Sequence, residues 1–146
     1  MLRTRVLRLV VVLSLAIGGI LVGSVNSAWA AGCYGDYCSG RDPVQMGCSS
    51  DAYTTVSKDI PGAQLQIRWS PSCKTNWSRL VVYPTGLGCI GGGNLVARQD
   101  TGYTQSSWLG AYICYISSTT TYWTPMIYSP VHLVRGEIAG YATGWS

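Results

Sequence analysis

Six cysteines constrain this chain more than any other feature, because they are even in number and all lie between residues 33 and 114. Such a set reads as a disulfide framework in an exported chain and as a metal or redox site in a cytosolic one. The start of the sequence decides between the two. Arg3, Arg5 and Arg8 precede an uncharged apolar run from Leu9 to Val25, and Ala28-Trp29-Ala30 follows. A positive end, an apolar stretch and closing small residues form the layout of a secretory signal peptide, with cleavage expected before Ala31. The apolar run, about 17 residues, is at the short limit for a membrane span. Cysteine-rich sequence begins directly after it, which favours cleavage over a retained anchor. Lipidation at Cys33 would need a Leu-like residue three places earlier, where Ala30 stands. The expected organisation is a signal peptide over 1–30 and a single secreted domain over 31–146, with no membrane contact after cleavage.

Removing the signal changes the charge. The whole chain carries 10 Lys+Arg against 6 Asp+Glu, but three of the arginines lie in the leader, which leaves 7 against 6 and a net of +1. A nucleic-acid surface needs a clustered basic face, and an anionic membrane surface attracts a polybasic run. Neither pattern occurs, so neither partner is expected. A domain this short buries a limited fraction of its surface. Three disulfides would compensate, each by about 2–4 kcal/mol, chiefly by restricting the unfolded chain. Cys89 and Cys114 are expected to pair, leaving Cys33, Cys38, Cys48 and Cys73 to pair among themselves in an open order. Zinc is not expected: there is no C-x-x-C pair, and the single histidine, His132, is distant in sequence.

The pattern of the domain is that of strands. Residues 63–69 alternate, with Leu65, Ile67 and Trp69 on one side and Gln64, Gln66 and Arg68 on the other, as a half-buried strand does. Ser70-Pro71-Ser72 ends it, since proline cannot donate to a ladder. A turn or short helix is expected through Thr75-Asn76-Trp77, then a partner strand from Arg79 to Tyr83. The glycine-rich segment 86–93 around Cys89 reads as a loop, and no Gly-Lys-Ser/Thr follows to make it a phosphate loop. Further short strands are expected over 95–98, 111–117, 121–128 and 131–138. No sustained helical period is present. The expected class is all-β: a small disulfide-stabilised sandwich or barrel.

Catalytic groups are sparse. A Ser-His-Asp apparatus would need His132 as its base, but Val131-His132-Leu133-Val134 reads as an apolar strand, and no G-x-S-x-G elbow is present. A cysteine nucleophile would need an unpaired thiol. Paired carboxylates are the remaining route, with Asp36, Asp42 and Asp51 grouped near the start of the domain. Asp42-Pro43 reads as turn initiation and Asp51 as a turn cap. No catalytic residue, metal or cofactor is expected. The aromatic residues are unusual: 10 Tyr, five Trp after the signal, and no Phe. Without Phe, these rings are expected to build the core, Trp69 and Trp77 above all. Tyr103 and Trp108, flanked by Thr, Ser and Gly, are the surface candidates.

Cys33-Tyr-Gly-Asp-Tyr-Cys38-Ser-Gly40-Arg-Asp42-Pro43, with Gly47-Cys48 and Asp51-Ala52 after it, resembles the opening of the YjfA-like family. Two later blocks do so as well: Arg68-Trp69-Ser70-Pro71-Ser-Cys73-Lys-Thr-Asn-Trp77-Ser-Arg79, and Tyr122-Trp123-Thr124-Pro125-Met126. The resemblance spans nearly the whole domain. It implies a small secreted domain without established catalytic residues. Some similar proteins are adaptor subunits of secreted, umbrella-shaped antibacterial toxin particles. The resulting expectation is a non-catalytic binding or adaptor module whose partner is another secreted protein. Contact would be made through Ala31, Tyr34 and Asp36 at the mature N-terminus, or through strand addition at a sheet edge. The alternative is a cell-wall or carbohydrate binder that stacks sugars on Tyr103 and Trp108. A small hydrolase or a protease inhibitor is the remaining class.

Overall fold

The computed structural model describes residues 31–146, so the expected signal peptide lies outside the described residues. The described residues form eleven strands: β1 Tyr53–Ile60, β2 Ala63–Ser70, β3 Thr75–Val82, β4 Cys89–Gly91, β5 Asn94–Gln99, β6 Thr104–Trp108, β7 Tyr112–Cys114, β8 Thr120–Trp123, β9 Ile127–Tyr128, β10 Val134–Ile138 and β11 Tyr141–Ala142. Among the described residues the helical structure is one 3₁₀ turn, Gly35–Cys38. The fold is all-β, as the composition and alternation imply.

Two antiparallel sheets make the sandwich. One runs β1-β2-β3-β8, with β9 also pairing β3; the other runs β11-β10-β5-β6. The alternation in β2 does what period-2 patterning requires. Ala63, Leu65 and Ile67 are buried, and Leu80 and Val82 stand opposite Leu65 and Ala63 on β3. Leu95, Ala97, Val134 and Ile138 face them from the second sheet. Gly136 permits the close approach of the layers: a Cβ there would fall 2.9 Å from Ser78 Oγ and 3.3 Å from Leu65. Ser78 crosses the gap, its hydroxyl donating to the Val96 carbonyl at 2.6 Å.

A third layer covers the outer face of the larger sheet. Residues 31–50 fold around Cys33–Cys38 and Cys48–Cys73, and these four buried cysteines pack with Trp77 and Met126. The third bridge, Cys89–Cys114, joins directly opposed residues of the separate β4–β7 pair. No described cysteine is free.

Several expectations are corrected. Thr75-Asn76-Trp77 is neither turn nor helix; it opens β3. The turn is tighter and earlier, with Lys74 at φ 59° and its N–H bonded to the Ser70 carbonyl at 2.9 Å. Asp51 holds that turn from outside, accepting from Ser70 Oγ at 2.7 Å and from the Ser72 N–H at 2.8 Å. The strand expected over 111–117 shortens to β7, because Tyr115 takes φ 59° and leaves the ladder. The 121–128 strand divides into β8 and β9 around Pro125, and β10 starts only at Val134. β1, β4 and β6 were not expected, nor was the short β11. The aromatic core is the largest departure: of the ten tyrosines, eight are exposed, and Trp77 is the one fully buried indole among the described residues. Aliphatic residues and cysteines fill the interior instead.

Candidate functional site

Four of the eight exposed tyrosines lie where disulfides hold the backbone. Tyr34 (68% exposed) and Tyr37 lie inside the Cys33–Cys38 loop. The Arg41 guanidinium sits 3.9 Å over the Tyr37 ring and donates to the Tyr37 carbonyl, fixing that side chain. The lobe is tied to the sandwich by Gly35 N–H to Cys73 carbonyl (3.1 Å) and Gly40 N–H to Met126 carbonyl (2.9 Å). The Trp123 indole adds a bond to Asp42 at 3.0 Å. Gly35 has φ 65°, and a Cβ there would touch the Tyr128 ring, so a glycine suits this contact.

The second group sits beyond the other end of the strands. Tyr112 (71% exposed) and Tyr115 flank Cys114, and Leu87 (91% exposed) projects between Gly86 and Gly88. Thr85 N–H to Ile116 carbonyl, Ile116 N–H to Thr85 Oγ1 and Tyr115 N–H to Gly88 carbonyl lace the two loops into one clasp. The N-terminal lobe packs at the β2–β3 turn, through Cys73. The clasp packs at the β1–β2 turn, where Ile90 abuts Gly62. The eight residues of β2 separate these ends, a length of roughly 25 Å.

The predicted site residues divide between these places. Ala31 is half-buried against the cysteine cluster, Tyr34 is exposed beside it, and Asp36 is exposed with its carboxylate accepting from Ser39 Oγ at 3.0 Å. Tyr103 lies near this lobe: its hydroxyl accepts from Gln105 Nε2 at 2.6 Å, and Gln105 neighbours Gly40. Trp108 does not join them. It ends β6 on the same side as Thr104 and Ser106, opposite to Gln105, so Tyr103 and Trp108 do not form one stacking platform. Sequence reasoning missed Tyr37, Tyr112, Tyr115 and Leu87. Their signal was adjacency to cysteine or glycine.

A third feature is a groove of about 320 Å³ at the end of the sandwich that carries the β2–β3 turn, lined by Tyr53, Trp69, Asn76, Ser129, His132 and Leu133 among others. Tyr53, Trp69 and Asn76 are register partners across β1, β2 and β3 and form its floor. His132 is not part of an apolar strand: it lies before β10 in a loop, with Nδ1 3.1 Å from Asp100 Oδ1. Asp100 also accepts the Leu133 N–H at 3.2 Å. The serine and threonine hydroxyls of the groove bond other groove residues, Ser129 Oγ to Asn76 Oδ1 at 2.5 Å and Thr55 Oγ1 to Ser146 Oγ at 2.6 Å.

The acidic side chains are held by local partners. Burial works to raise the Asp42 carboxyl. The N–H of Gln45, the Trp123 indole and the N–H of Val44 outweigh it and hold the group below its ordinary value. At Asp51 burial again opposes, and the bonds from Ser70 and Ser72 prevail. Glu137 is lowered first by its hydrogen bond from Arg98, against burial, with Arg135 adding to it. Asp59 accepts from Gln64 at 2.8 Å. Among the described residues, the one group of three or more cysteine, histidine or acidic side chains with ligand atoms close together is the cystine cluster, whose four Sγ atoms lie within 4.8 Å of one another. Those sulfurs are paired with each other. Likewise, no described helix is long and apolar enough to cross a membrane.

A family described as "Protein of unknown function (DUF2690)" matches residues 36–132, from the first cystine loop to the groove histidine. The chain belongs to this family. The match takes in the lobe from Asp36 onward, strands β1 to β9 and the clasp. No curated protein and no solved structure matches the chain.

Proposed function

We propose that this DUF2690 protein is a secreted, non-catalytic binding module that links other exported proteins. The observation that carries the reading is the placement of exposed tyrosines on two disulfide-fixed segments at opposite ends of one rigid sandwich. Tyrosine supplies a large amphipathic contact with few rotatable bonds, and pre-fixing it lowers the ordering cost of association. Three disulfides fit an oxidising compartment. The acids support the same reading, because each is engaged by its own neighbours rather than facing a second carboxylate across a cleft. Two separated contact ends suit an adaptor. The YjfA-like resemblance gives that role a specific form, the small linking subunit of an antibacterial toxin particle.

The test is retention of exported proteins on the immobilised chain, in medium conditioned by the producing cells. Partners are expected to be retained at near-native concentration, and the double variant Tyr34→Ala/Tyr37→Ala is expected to lose one of them. Failure to retain any protein would count against the proposal. The groove favours a second reading, sugar binding. Its Tyr53–Trp69 floor with His132 at the rim is a better stacking site than the divided pair Tyr103 and Trp108. Co-sedimentation with purified wall glycan that is lost in Tyr53→Ala would support this second reading.

A further inference from the structure

Arg68 and Arg79 are the anomaly of the molecule. They point outward from the larger sheet as diagonal neighbours, Arg68 opposite Trp77 and Arg79 opposite both Gln66 and Trp123. Both are half-buried, and neither takes part in an ion pair among the described residues. Arg98 and Arg135, which are no more enclosed, share Glu137. Charges removed from water are ordinarily paired. Burial lowers the pKa of both unpaired guanidinium groups, and the charge of Arg79 lowers that of Arg68 further. The fold has therefore gathered two like charges without a counter-charge.

They open on a pocket of about 160 Å³ walled by Trp77, Trp123, Thr121 and Ser49. Two of the three sequence blocks converge here: the second supplies Arg68, Trp77 and Arg79, and the third supplies Trp123, whose indole bonds Asp42 of the first. The donors are only partly used. Arg68 bonds Thr54 Oγ1 and the Ala52 carbonyl, while Arg79 gives its Nε to Gln66 at 2.8 Å. The two terminal nitrogens of Arg79 make no hydrogen bond within the described residues.

We propose that this pocket binds a carboxylate, donated by an acidic residue of the partner polypeptide; the source of the carboxylate rests on the binding-module reading above. A guanidinium fork matches a planar carboxylate bidentately, and the indole walls exclude water from it. The free donors select the class of anion. Arg68 already spends both terminal nitrogens on Thr54 and Ala52, so Arg79 alone offers an open fork. A single planar carboxylate matches that fork, whereas a tetrahedral phosphate dianion needs a second set of donors that Arg68 no longer offers.

The test is titration of the disulfide-intact domain with acetate, triglutamate peptide and inorganic phosphate, read by NMR at the Arg79 Nε–H and Trp123 indole N–H. Saturable shifts are expected with both carboxylates, tighter for the peptide, and phosphate should bind no better than acetate. Arg79→Gln should weaken the peptide by about tenfold, and Arg79→Lys by less, because the ammonium keeps the charge although it lacks the fork. Thr121→Glu, at the exposed rim, places a carboxylate in the pocket; it should block the peptide and raise Tm, which keeps the idea testable if Arg79→Gln unfolds. Absence of any saturable shift, tighter binding of phosphate, or peptide binding undiminished in both Arg79→Gln and Thr121→Glu would overturn the proposal. Because these probes need no partner, the outcomes separate. Carboxylate binding without protein retention overturns the linking role and leaves the pocket standing. Protein retention without carboxylate binding overturns the pocket alone.

Discussion

At the scale of single residues, the acids act as braces. Asp42 bonds the backbone of Val44 and Gln45 and joins the lobe to Trp123, while Asp51 fastens the β2–β3 turn. Their folded pKa values lie below the ordinary value, as does that of Glu137. The unfolded chain therefore binds more protons as pH falls, so these groups contribute stability above the carboxylate range and lose it below. Urea midpoints should stay flat from about pH 7 to about pH 5 and decline below about pH 4. Asp51→Asn should lower the midpoint at neutral pH and make the acid decline shallower; an unchanged decline would assign it to the other carboxylates. The turn role of Asp42 was legible in the sequence, because Asp before Pro has a local bonding habit; that of Asp51 was not, since the turn it fastens lies 19 to 21 positions away. Nor was the partner of His132. Asp100 is 32 positions away, and the β5–β10 pairing that brings the two together is non-local.

At the scale of elements, alternation was readable wherever one face is dry. β2 came out as its pattern implies, and its neighbour β3 in part. β1 and β6 escaped because they bury no residue fully and half-buried positions such as Thr54, Gln105 and Ser107 are polar, so hydrophobicity does not mark a period. The exposure of the tyrosines was hidden for another reason: leucine, isoleucine and cystine sulfur fill the core without them. The close contact of the sheets predicts that Gly136→Ala destabilises by about 1–3 kcal/mol through overpacking against Ser78 and Leu65. Chemical denaturation would measure it, and a neutral result would show that the layers can part. The clasp predicts a local effect. Replacing both Cys89 and Cys114 by Ser should speed proteolysis at residues 84–88 and 115–119 while the sandwich stays folded, because the bridge closes a separate two-stranded unit. Limited proteolysis followed by mass mapping would show whether the cuts are confined there.

At the scale of the whole molecule, the two packed sheets span the distance between two cystine-held segments. A cystine lobe caps one end, a cystine clasp closes the other, and aliphatic contacts between the sheets hold the span. The disulfide framework was legible in the even cysteine count, and the Cys89–Cys114 bridge was expected; the order of the other four needed the lobe geometry. The two-ended surface was not legible at all, because it depends on which turn each cystine packs against. Photo-cross-linking tests it most directly. A photoreactive residue replaces Tyr34 in one protein, Tyr112 in a second and, as a mid-sheet control, the exposed Ser57 in a third, each exposed to conditioned medium. Adducts are expected at positions 34 and 112, with different partners, and none at 57. Equal labelling at all three positions, or adducts at none, would contradict it.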